Sequence, residues 1–408
     1  MVALPLGMGL VAATARRAGH EVSCLDLLGA DDPHMAVTTA IGRTRPQVIG
    51  VSVRNIDDQN AEAPRFFLEQ VKDVVAACRA GSDAPIVLGG AGFSIFPDEV
   101  LAYLAADYGI AGDGEVALVA LLDRLQRGED PAGTPGLHMV DREATPPAPP
   151  HALDHLPLWD ESLWEAADPA DPELWIPVQS RRGCPNDCSY CATWRIQGRA
   201  IRCRDPRLVA ANVGRLAGAG YRRFYFVDNS FNIPEPHALE LCHELGALGT
   251  RVTWRCIVYP HLVREELVAA MAAAGCVEAS VGFESGCPRI LHEMNKRFLP
   301  DDVRATCDLL AAHGIRRMGF LLLGGPGETR ESVEESLAFA ASLCLDSLRT
   351  TVGIRIYPGT PLARRAVAEG VIPSERALLS PRFYLAPGLA PWIHERVSAG
   401  VQAAQLSA

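Results

Sequence analysis

Leu174-Trp175-Ile176-Pro177-Val178-Gln179-Ser180-Arg181-Arg182-Gly183-Cys184-Pro185-Asn186-Asp187-Cys188-Ser189-Tyr190-Cys191 is the stretch on which the fold turns. Its first part, residues 174–179, is a short apolar run with polar flanks, the pattern of a strand buried in a sheet. Its second part is a loop that packs three cysteines into eight residues. Five more strand patterns follow, at 223–228, 252–258, 277–283, 317–323 and 350–356. Helical periodicity fills the gaps at 206–217, 236–245, 264–274, 288–294 with 301–313, and 331–343. Six strand–helix units in series predict a parallel sheet curved into a barrel or part of one. Such sheets carry their chemistry on the loops after the strands, and the cysteine loop is the first of these.

Working upstream, strand and helix patterns alternate again. Helices are expected at 9–18, 63–79, 98–105 and 115–126, and strands at 21–28, 48–53, 85–88 and near Tyr108. This alternation predicts a doubly wound parallel sheet with its ligand crevice at the carboxyl ends of the strands. The chain opens directly into a helix at Leu4-Pro5-Leu6-Gly7, so the first strand of this domain is expected to be missing. That in turn predicts either a true start upstream of Met1 or a trimmed domain. Pro131, Pro135, Pro146, Pro147, Pro149, Pro150 and Pro157 break any period and mark a linker. The expected division is 1–145 for the first domain, 146–170 for the linker, 171–362 for the second domain and 363–408 for a carboxy-terminal extension.

The 408 residues give room for two full cores. A formal charge of −11 with scattered basic residues repels polyanions, so no nucleic-acid partner is expected. No apolar run reaches the roughly 18 to 20 residues of a membrane span, and no signal-type segment opens the chain. No membrane association is expected, and the predicted compartment is the cytoplasm. Twelve cysteines in such a chain do not read as a disulfide framework. Nine are dispersed in apolar patterns and read as small buried hydrophobes.

Cys184, Cys188 and Cys191 are different. Three thiolates hold three irons of a four-iron cluster and leave the fourth iron open to a ligand. A zinc site, with Cys203 as a fourth ligand, is the competing reading, along with three unrelated cysteines. Arg181, Arg182, Arg195, Arg199, Arg202 and Arg204 surround the loop. They read either as a cover for a cofactor or acidic substrate group, or as a solvated face.

The cysteine spacing, with Tyr190 before the third cysteine, resembles the radical S-adenosylmethionine (SAM) superfamily. The resemblance implies a [4Fe–4S] cluster on Cys184, Cys188 and Cys191, with SAM chelating the open iron and cleaved to a 5′-deoxyadenosyl radical. It implies a partial (βα)6 barrel and SAM contacts at Tyr190, at Asp228 and Asn229 after the second strand, and at Glu284 and Ser285 after the fourth. Gly324 and Gly325 after the fifth strand and Tyr357 after the sixth complete the set. Many relatives carry an arginine five residues after the position of Trp254; here Tyr259 stands there.

The first domain resembles the Rossmann-like cobalamin-binding domain that precedes the barrel in one large subgroup. The matching segments contain Ser52, Arg54 and Asn55, then Gly89 and Gly90, then Gly112, Asp113, Gly114 and Glu115. The resemblance implies that these residues meet cobalamin. Asp-x-His-x-x-Gly, the signature of cobalamin bound through a protein histidine, is absent. His34 after Asp32-Pro33 is expected at the surface.

Together these features imply a cobalamin-dependent radical SAM methyltransferase acting on an unactivated carbon of a small metabolite or peptide. Its electron donor would be a low-potential protein such as flavodoxin or ferredoxin. A cyclase or ring-rearranging enzyme of the same subgroup is a rival, as is a non-catalytic cobalamin or cluster sensor. A methylthiotransferase would want a second three-cysteine set in the first domain, where only Cys24 and Cys78 occur.

Overall fold

The computed structural model describes residues 2–147, 151–163 and 168–398. Pro149 and Pro150 of the expected linker, and residues 399–408 of the expected extension, lie outside them. The chain enters through a two-residue strand, β1 (Val2–Ala3), before helix α1 (Leu6–Arg17). The expectation of a chain opening directly into a helix is thereby corrected. β1 pairs with the larger, second sheet rather than the first.

Helix α2 (Pro33–Thr44) was not anticipated, although its signal is local. The Asp32 side chain caps it by accepting from the Met35 amide at 3.0 Å, with Pro33 in the first turn. The strand expected at 21–28 forms no ladder. Val22, Cys24 and Leu27 do pack on the core there. Alternation reports which side of an extended segment packs, not whether a neighbouring strand pairs with it.

The first sheet runs β2 (Ile49–Ser52), β3 (Ile86–Gly89), β4 (Tyr108–Ile110) and β5 (Leu137–His138). β5 lies antiparallel to β4, so this sheet is not wholly parallel as expected. Helices α3 (Leu68–Gly81), α4 (Ala91–Ile95), α5 (Pro97–Leu104) and α6 (Gly114–Arg127) complete the domain. Thr145 and Pro146 still bond its backbone at Leu137 and Gly136.

Residues 151–163 wrap toward the second domain. Arg204, buried, donates to the carbonyls of Leu153, Leu156 and Pro157 at 2.6 to 2.9 Å. The second sheet begins with β6 (Leu174–Val178). A hairpin of β7 (Arg181–Arg182) and β8 (Arg202–Cys203), with α7 (Thr193–Gln197) inside it, follows before α8 (Pro206–Gly218).

The sheet continues through β9 (Arg223–Phe226), α9 (Glu235–Gly246), β10 (Thr253–Val258) and α10 (Glu265–Ala273). Then come β11 (Cys276–Glu284), α11 (Pro288–Glu293), α12 (Pro300–Ala312), β12 (Arg316–Leu323), α13 (Arg330–Ser342) and β13 (Ser347–Val352). All neighbours are parallel, in the order β1-β6-β9-β10-β11-β12-β13. β1 and β13 are not paired with each other, so the barrel stays open. Beyond it β14 (Ile354–Arg355) pairs antiparallel with β15 (Phe383–Tyr384). Helix α14 (Pro361–Ala368) crosses the boundary expected at residue 362, because its buried Leu362, Ala363 and Ala366 form one continuous face. No described helix is long and apolar enough to cross a membrane.

The two faces of the second sheet differ. Phe224, Phe226, Trp254, Cys256 and Val258 are buried against Val209, Val213, Leu241 and Leu267 of the helices. On the other face Trp175, Tyr225, Arg255 and Glu278 are only half-buried. Trp254 anchors the packed face, its ring 5.2 Å from Phe226 and 4.9 Å from Phe231. Its indole N–H donates to the Ala274 carbonyl at 2.8 Å. Trp254→Ala should therefore destabilise the protein by roughly 3 to 5 kcal/mol, read as a lower denaturation midpoint of the apoprotein.

Candidate functional site

The three cysteines occupy the loop between β7 and α7. Its entry is set from below. Asp228, 1% exposed, accepts from the amides of Ser180 at 2.9 Å and Arg181 at 3.1 Å and from Ser180 Oγ at 2.6 Å. Burial pushes its carboxyl up, and those hydrogen bonds pull the other way. The carboxylate of Asp228, expected to meet SAM, is thus engaged by the chain's own amides and hydroxyl. Arg181, also buried, donates to the Ser230 and Gly183 carbonyls. Gly183 has φ +90°, and a Cβ there would lie 2.0 Å from the Ala200 carbonyl oxygen, so only glycine fits.

The far side of the loop is held by residues after α11 and at α14. The Ser189 amide donates to the Met294 carbonyl at 3.0 Å, and Asn295 Nδ2 to the Asp187 carbonyl at 3.0 Å. The Leu362 amide donates to the Ser189 carbonyl at 2.9 Å. Cys184, Cys188 and Cys191 are half-buried and unpaired. Cys203 stands opposite Arg181 in the hairpin stem, apart from the loop. Among the described residues no three His, Cys, Asp or Glu side chains converge on a single-ion site. Three thiols on separate turns of one loop suit a larger group whose irons are bound one to each sulfur.

Glu284 ends β11 in a left-handed conformation, φ 61°, where the register with β12 shifts. Its carboxylate meets Lys296 Nζ at 3.2 Å. Lys296 was not anticipated from the sequence, where it reads as one cation in a polar turn. Its ammonium, only 5% exposed, sits 5.3 Å from the Tyr190 ring centre, 5.9 Å from Tyr259 and 5.8 Å from Phe298. Burial works against its charge, but Glu284, Tyr190 and Cys188 outweigh burial and raise its pKa well above the usual lysine range. Lys296 thus lies beside both Glu284 and Tyr190. Ser285 is apart from them: it is fully buried, bonded to Ser336 Oγ at 2.8 Å and to the Cys287 amide.

Asn229 stands at the end of β9 with Nδ2 on Gln197 Oε1 at 2.8 Å, and the same oxygen accepts from the Gly183 amide. The Gly324 and Gly325 amides both point at Glu328 Oε2, the second at 2.8 Å. Tyr357 is half-buried beneath Arg355, whose guanidinium lies 5.1 Å from its ring.

In the first domain Ser52 at the end of β2, and Arg54 and Asn55 just after it, are exposed. Gly90 is required by its own neighbours, since a Cβ would fall 2.6 Å from the Val53 carbonyl oxygen. Gly89, Gly112 and Gly114 stand at the same ends of the strands, and at Gly112 nothing lies within 4 Å of a built Cβ. That open ground suits a large flat ligand.

Asp113 and Glu115 do something else. Glu115, 3% exposed, takes both Arg182 Nη groups, and Asp113 Oδ1 lies 3.0 Å from Arg182 Nη1. Asp113 Oδ2 meets Arg202 Nη1 at 2.5 Å. Arg182 and Arg202, two of the six arginines around the loop, are engaged by these two carboxylates of the first domain. His34 is exposed.

Two predictions follow from these contacts. Arg182→Met leaves Glu115 buried without a partner and should cost roughly 3 to 5 kcal/mol. The readouts are a lower melting temperature and faster protease cleavage within residues 146–170, with partial recovery in the double variant Arg182→Met/Glu115→Gln. Glu328 is the second case. Burial pushes its carboxyl up to about 7 against the Gly324 and Gly325 amides, and its Oε1 has no partner among the described residues. The folded state thus holds this proton more tightly than the unfolded chain. Its contribution to stability is complete below the ordinary carboxyl range and is lost as pH rises through about 7. Glu328→Gln should remove a pH-dependent loss on the order of 3 kcal/mol, seen as a flatter melting temperature between pH 5 and 8.

Comparison with known proteins agrees with this geometry. The model of the radical SAM superfamily matches residues 178–340, and that of the B12 binding domain matches residues 2–122. An uncharacterised methyltransferase of Pyrococcus horikoshii is 24% identical over 90% of this chain and 79% of its own length. The tryptophan 2-C-methyltransferase of Streptomyces laurentii is 24% identical over 88% of this chain and 71% of its own. Among solved structures, the radical SAM methyltransferase TsrM of Kitasatospora setae superposes with a TM-score of 0.83 at 24% identity. That superposition covers 97% of this chain and 85% of TsrM. The cobalamin-dependent enzyme OxsB gives 0.73 at 15% identity, covering 94% of this chain and 62% of its own. The chain is a radical SAM superfamily enzyme with an amino-terminal B12-binding domain, and its cofactors are a [4Fe–4S] cluster, SAM and cobalamin.

Proposed function

We propose that the protein is a cobalamin-dependent radical SAM methyltransferase that methylates an unactivated carbon of a small molecule, with Cys184, Cys188 and Cys191 holding the cluster. The observation that carries this reading is the docking of Arg182, two residues before Cys184, onto Glu115 and Asp113. It sets the loop for one cofactor against the domain for the other. Relatives that span both domains bear methyltransferase names, among them the cytidylyl-2-hydroxyethylphosphonate methyltransferase of Streptomyces wedmorensis, 24% identical over 92% of this chain. When bound, the cluster with SAM supplies a hydrogen-abstracting radical and cobalamin supplies a methyl group.

The chain's own residues do the rest. Glu284 and Lys296 present one paired carboxylate and ammonium at the mouth of the sheet beside Tyr190. Asn229, Gly324, Gly325 and Tyr357 edge the same mouth and are assigned to SAM. Ser52, Arg54, Asn55 and the Gly89, Gly90, Gly112 and Gly114 backbone are assigned to cobalamin. A flavodoxin- or ferredoxin-type donor is the proposed source of electrons.

Cyclisation is the second reading. The anaerobic magnesium-protoporphyrin IX monomethyl ester cyclase of Rubrivivax gelatinosus is 25% identical over 82% of this chain and 61% of its own length. Anaerobic reconstitution with methyl-labelled SAM separates the two. 5′-Deoxyadenosine together with S-adenosylhomocysteine and a labelled product is the expected result. 5′-Deoxyadenosine alone would favour the cyclase, and neither product would overturn both. Cys184→Ala should lower bound iron to background; undiminished iron would remove the cluster assignment.

A further inference from the structure

The cysteine loop is laced to residues 294–297 on both sides of Cys188. On one side the Ser189 amide donates to the Met294 carbonyl at 3.0 Å. On the other, Asn295 Nδ2 donates to the Asp187 carbonyl at 3.0 Å, and Arg297 Nη2 meets the Asp187 carboxylate at 3.2 Å. Lys296 stands in the middle of that lacing. Its own amide donates to the Leu291 carbonyl at 2.9 Å, and the next amide, of Arg297, donates to Tyr259 Oη at 3.1 Å. Lys296 and Cys188 are therefore positioned together.

The lysine side chain turns inward from this turn. Its ammonium is 5% exposed and lies 5.3 to 5.9 Å from the ring centres of Tyr190, Tyr259 and Phe298. Glu284, at 3.2 Å, is the one carboxylate it meets among the described residues. The pair is neutral as a whole, but its two ends are not equivalent. Among charged groups Lys296 acts most strongly on the Cys188 sulfur, ahead of Cys191, Cys184 and Glu284. Its field also reaches Cys184. The positive end of the pair is thus the end turned toward Cys188. On the hairpin side Arg181 has a buried counter-charge of its own in Asp228. The Arg297–Asp187 pair is about half exposed on both sides, where water damps it.

A four-iron cluster on thiolates gains one negative charge when it is reduced. A cation fixed beside it, out of water, favours the reduced form, and local charge is one of the levers that set such potentials. We infer that Lys296 is a positioning residue for electron entry: held beside Cys188, its ammonium raises the potential of the cluster, and Glu284 limits the effect by opposing it. One electron passes from the low-potential donor protein to the cluster, and no bond or proton changes place at Lys296. The inference rests on the reading that Cys184, Cys188 and Cys191 hold the cluster.

The test is a potential, measured without SAM and without turnover. Holoenzyme reconstituted with cluster and cobalamin is titrated electrochemically under anaerobic conditions, and reduced cluster is read from its electron paramagnetic resonance signal. Lys296→Met should shift the midpoint to more negative potential. Glu284→Gln removes the opposing charge and should shift it to more positive potential. Lys296→Arg keeps the charge and should stay near wild type. A lysine that only staples the loop would not give shifts of opposite sign. Iron and cobalamin contents equal to wild type show that a variant is intact, and Glu284→Gln carries the comparison where Lys296→Met does not load iron. A midpoint at or above wild type in loaded Lys296→Met overturns the inference, as does one at or below wild type in loaded Glu284→Gln. Failure of the cluster assignment itself shows elsewhere, as undiminished iron in Cys184→Ala.

Discussion

One buried ion pair decides where the halves of this protein meet. Taking the Arg182 guanidinium and the Glu115 carboxylate out of water is unfavourable by several kcal/mol per ion. Only a bidentate geometry with further bonds offsets that, and the chain supplies it. Glu115 takes both Nη groups, Gln179 Oε1 takes Nε at 2.8 Å, and Asp113 adds a second charge. Glu115 lies in the first turn of α6, where the helix dipole favours a negative charge. Such a pair is intolerant of displacement, so the loop starting at Gly183 is positioned relative to α6 as firmly as by a covalent turn. The tie continues through Arg202 to Asp113 on one side and through Gln197 to Asn229 and Gly183 on the other.

The same pair shows where sequence reading stops. Five of the six strands of the second domain were legible near their bounds, because buried parallel strands read as apolar runs between turn signals and need no partner to be recognised. The sixth, expected at 350–356, is split: β13 ends at Val352, and Ile354–Arg355 joins a separate sheet with β15. The cysteine loop was legible because its spacing is local. Asp113, Glu115, Arg182 and Arg202 were each noticed, but as residues facing ligands, since nothing in a linear pattern says that two charged segments 67 residues apart will meet each other. The inward bonds of Asp228 were hidden for a related reason. A carboxylate at a strand end reads the same whether it turns outward or back onto the amides of Ser180 and Arg181. The unexpected strand β1 is likewise a matter of partner: two residues carry no period, and only Leu174 and Trp175 opposite make them a strand.

Lys296 was invisible for another reason. A lysine between an asparagine and an arginine is ordinarily solvated, and its burial here follows from one backbone irregularity. The shift of register before Glu284, with that residue left-handed, re-aims its carboxylate at the ammonium. A left-handed glutamate is strained by about 1 to 3 kcal/mol and persists where surroundings over-determine it. The ion pair at 3.2 Å and the three rings around Lys296 provide that. Strain of this kind gathers where side chains are aimed for chemistry, here next to the loop that carries the cysteines.

The half-buried inner face follows from a sheet that stops short of closing. A closed eight-stranded barrel is filled by its own inward side chains, whereas seven strands without a final ladder leave the inner residues half-buried. An open sheet invites water, so something has to bridge its two edges. The first domain does this at both ends. Its β1 adds to β6 at one edge. Just beyond β13, at the other, Arg355 is buried with Asp57 at 2.7 Å and bonds the Ile356 and Leu378 carbonyls. The domain that binds B12 is therefore also the wall of the chamber in the radical SAM domain. Because the wall is fixed by buried charges as well as by an apolar core continuous through both domains, its position is defined to a single arrangement. A reaction that has to exclude water and hold two cofactors in register needs that from its container.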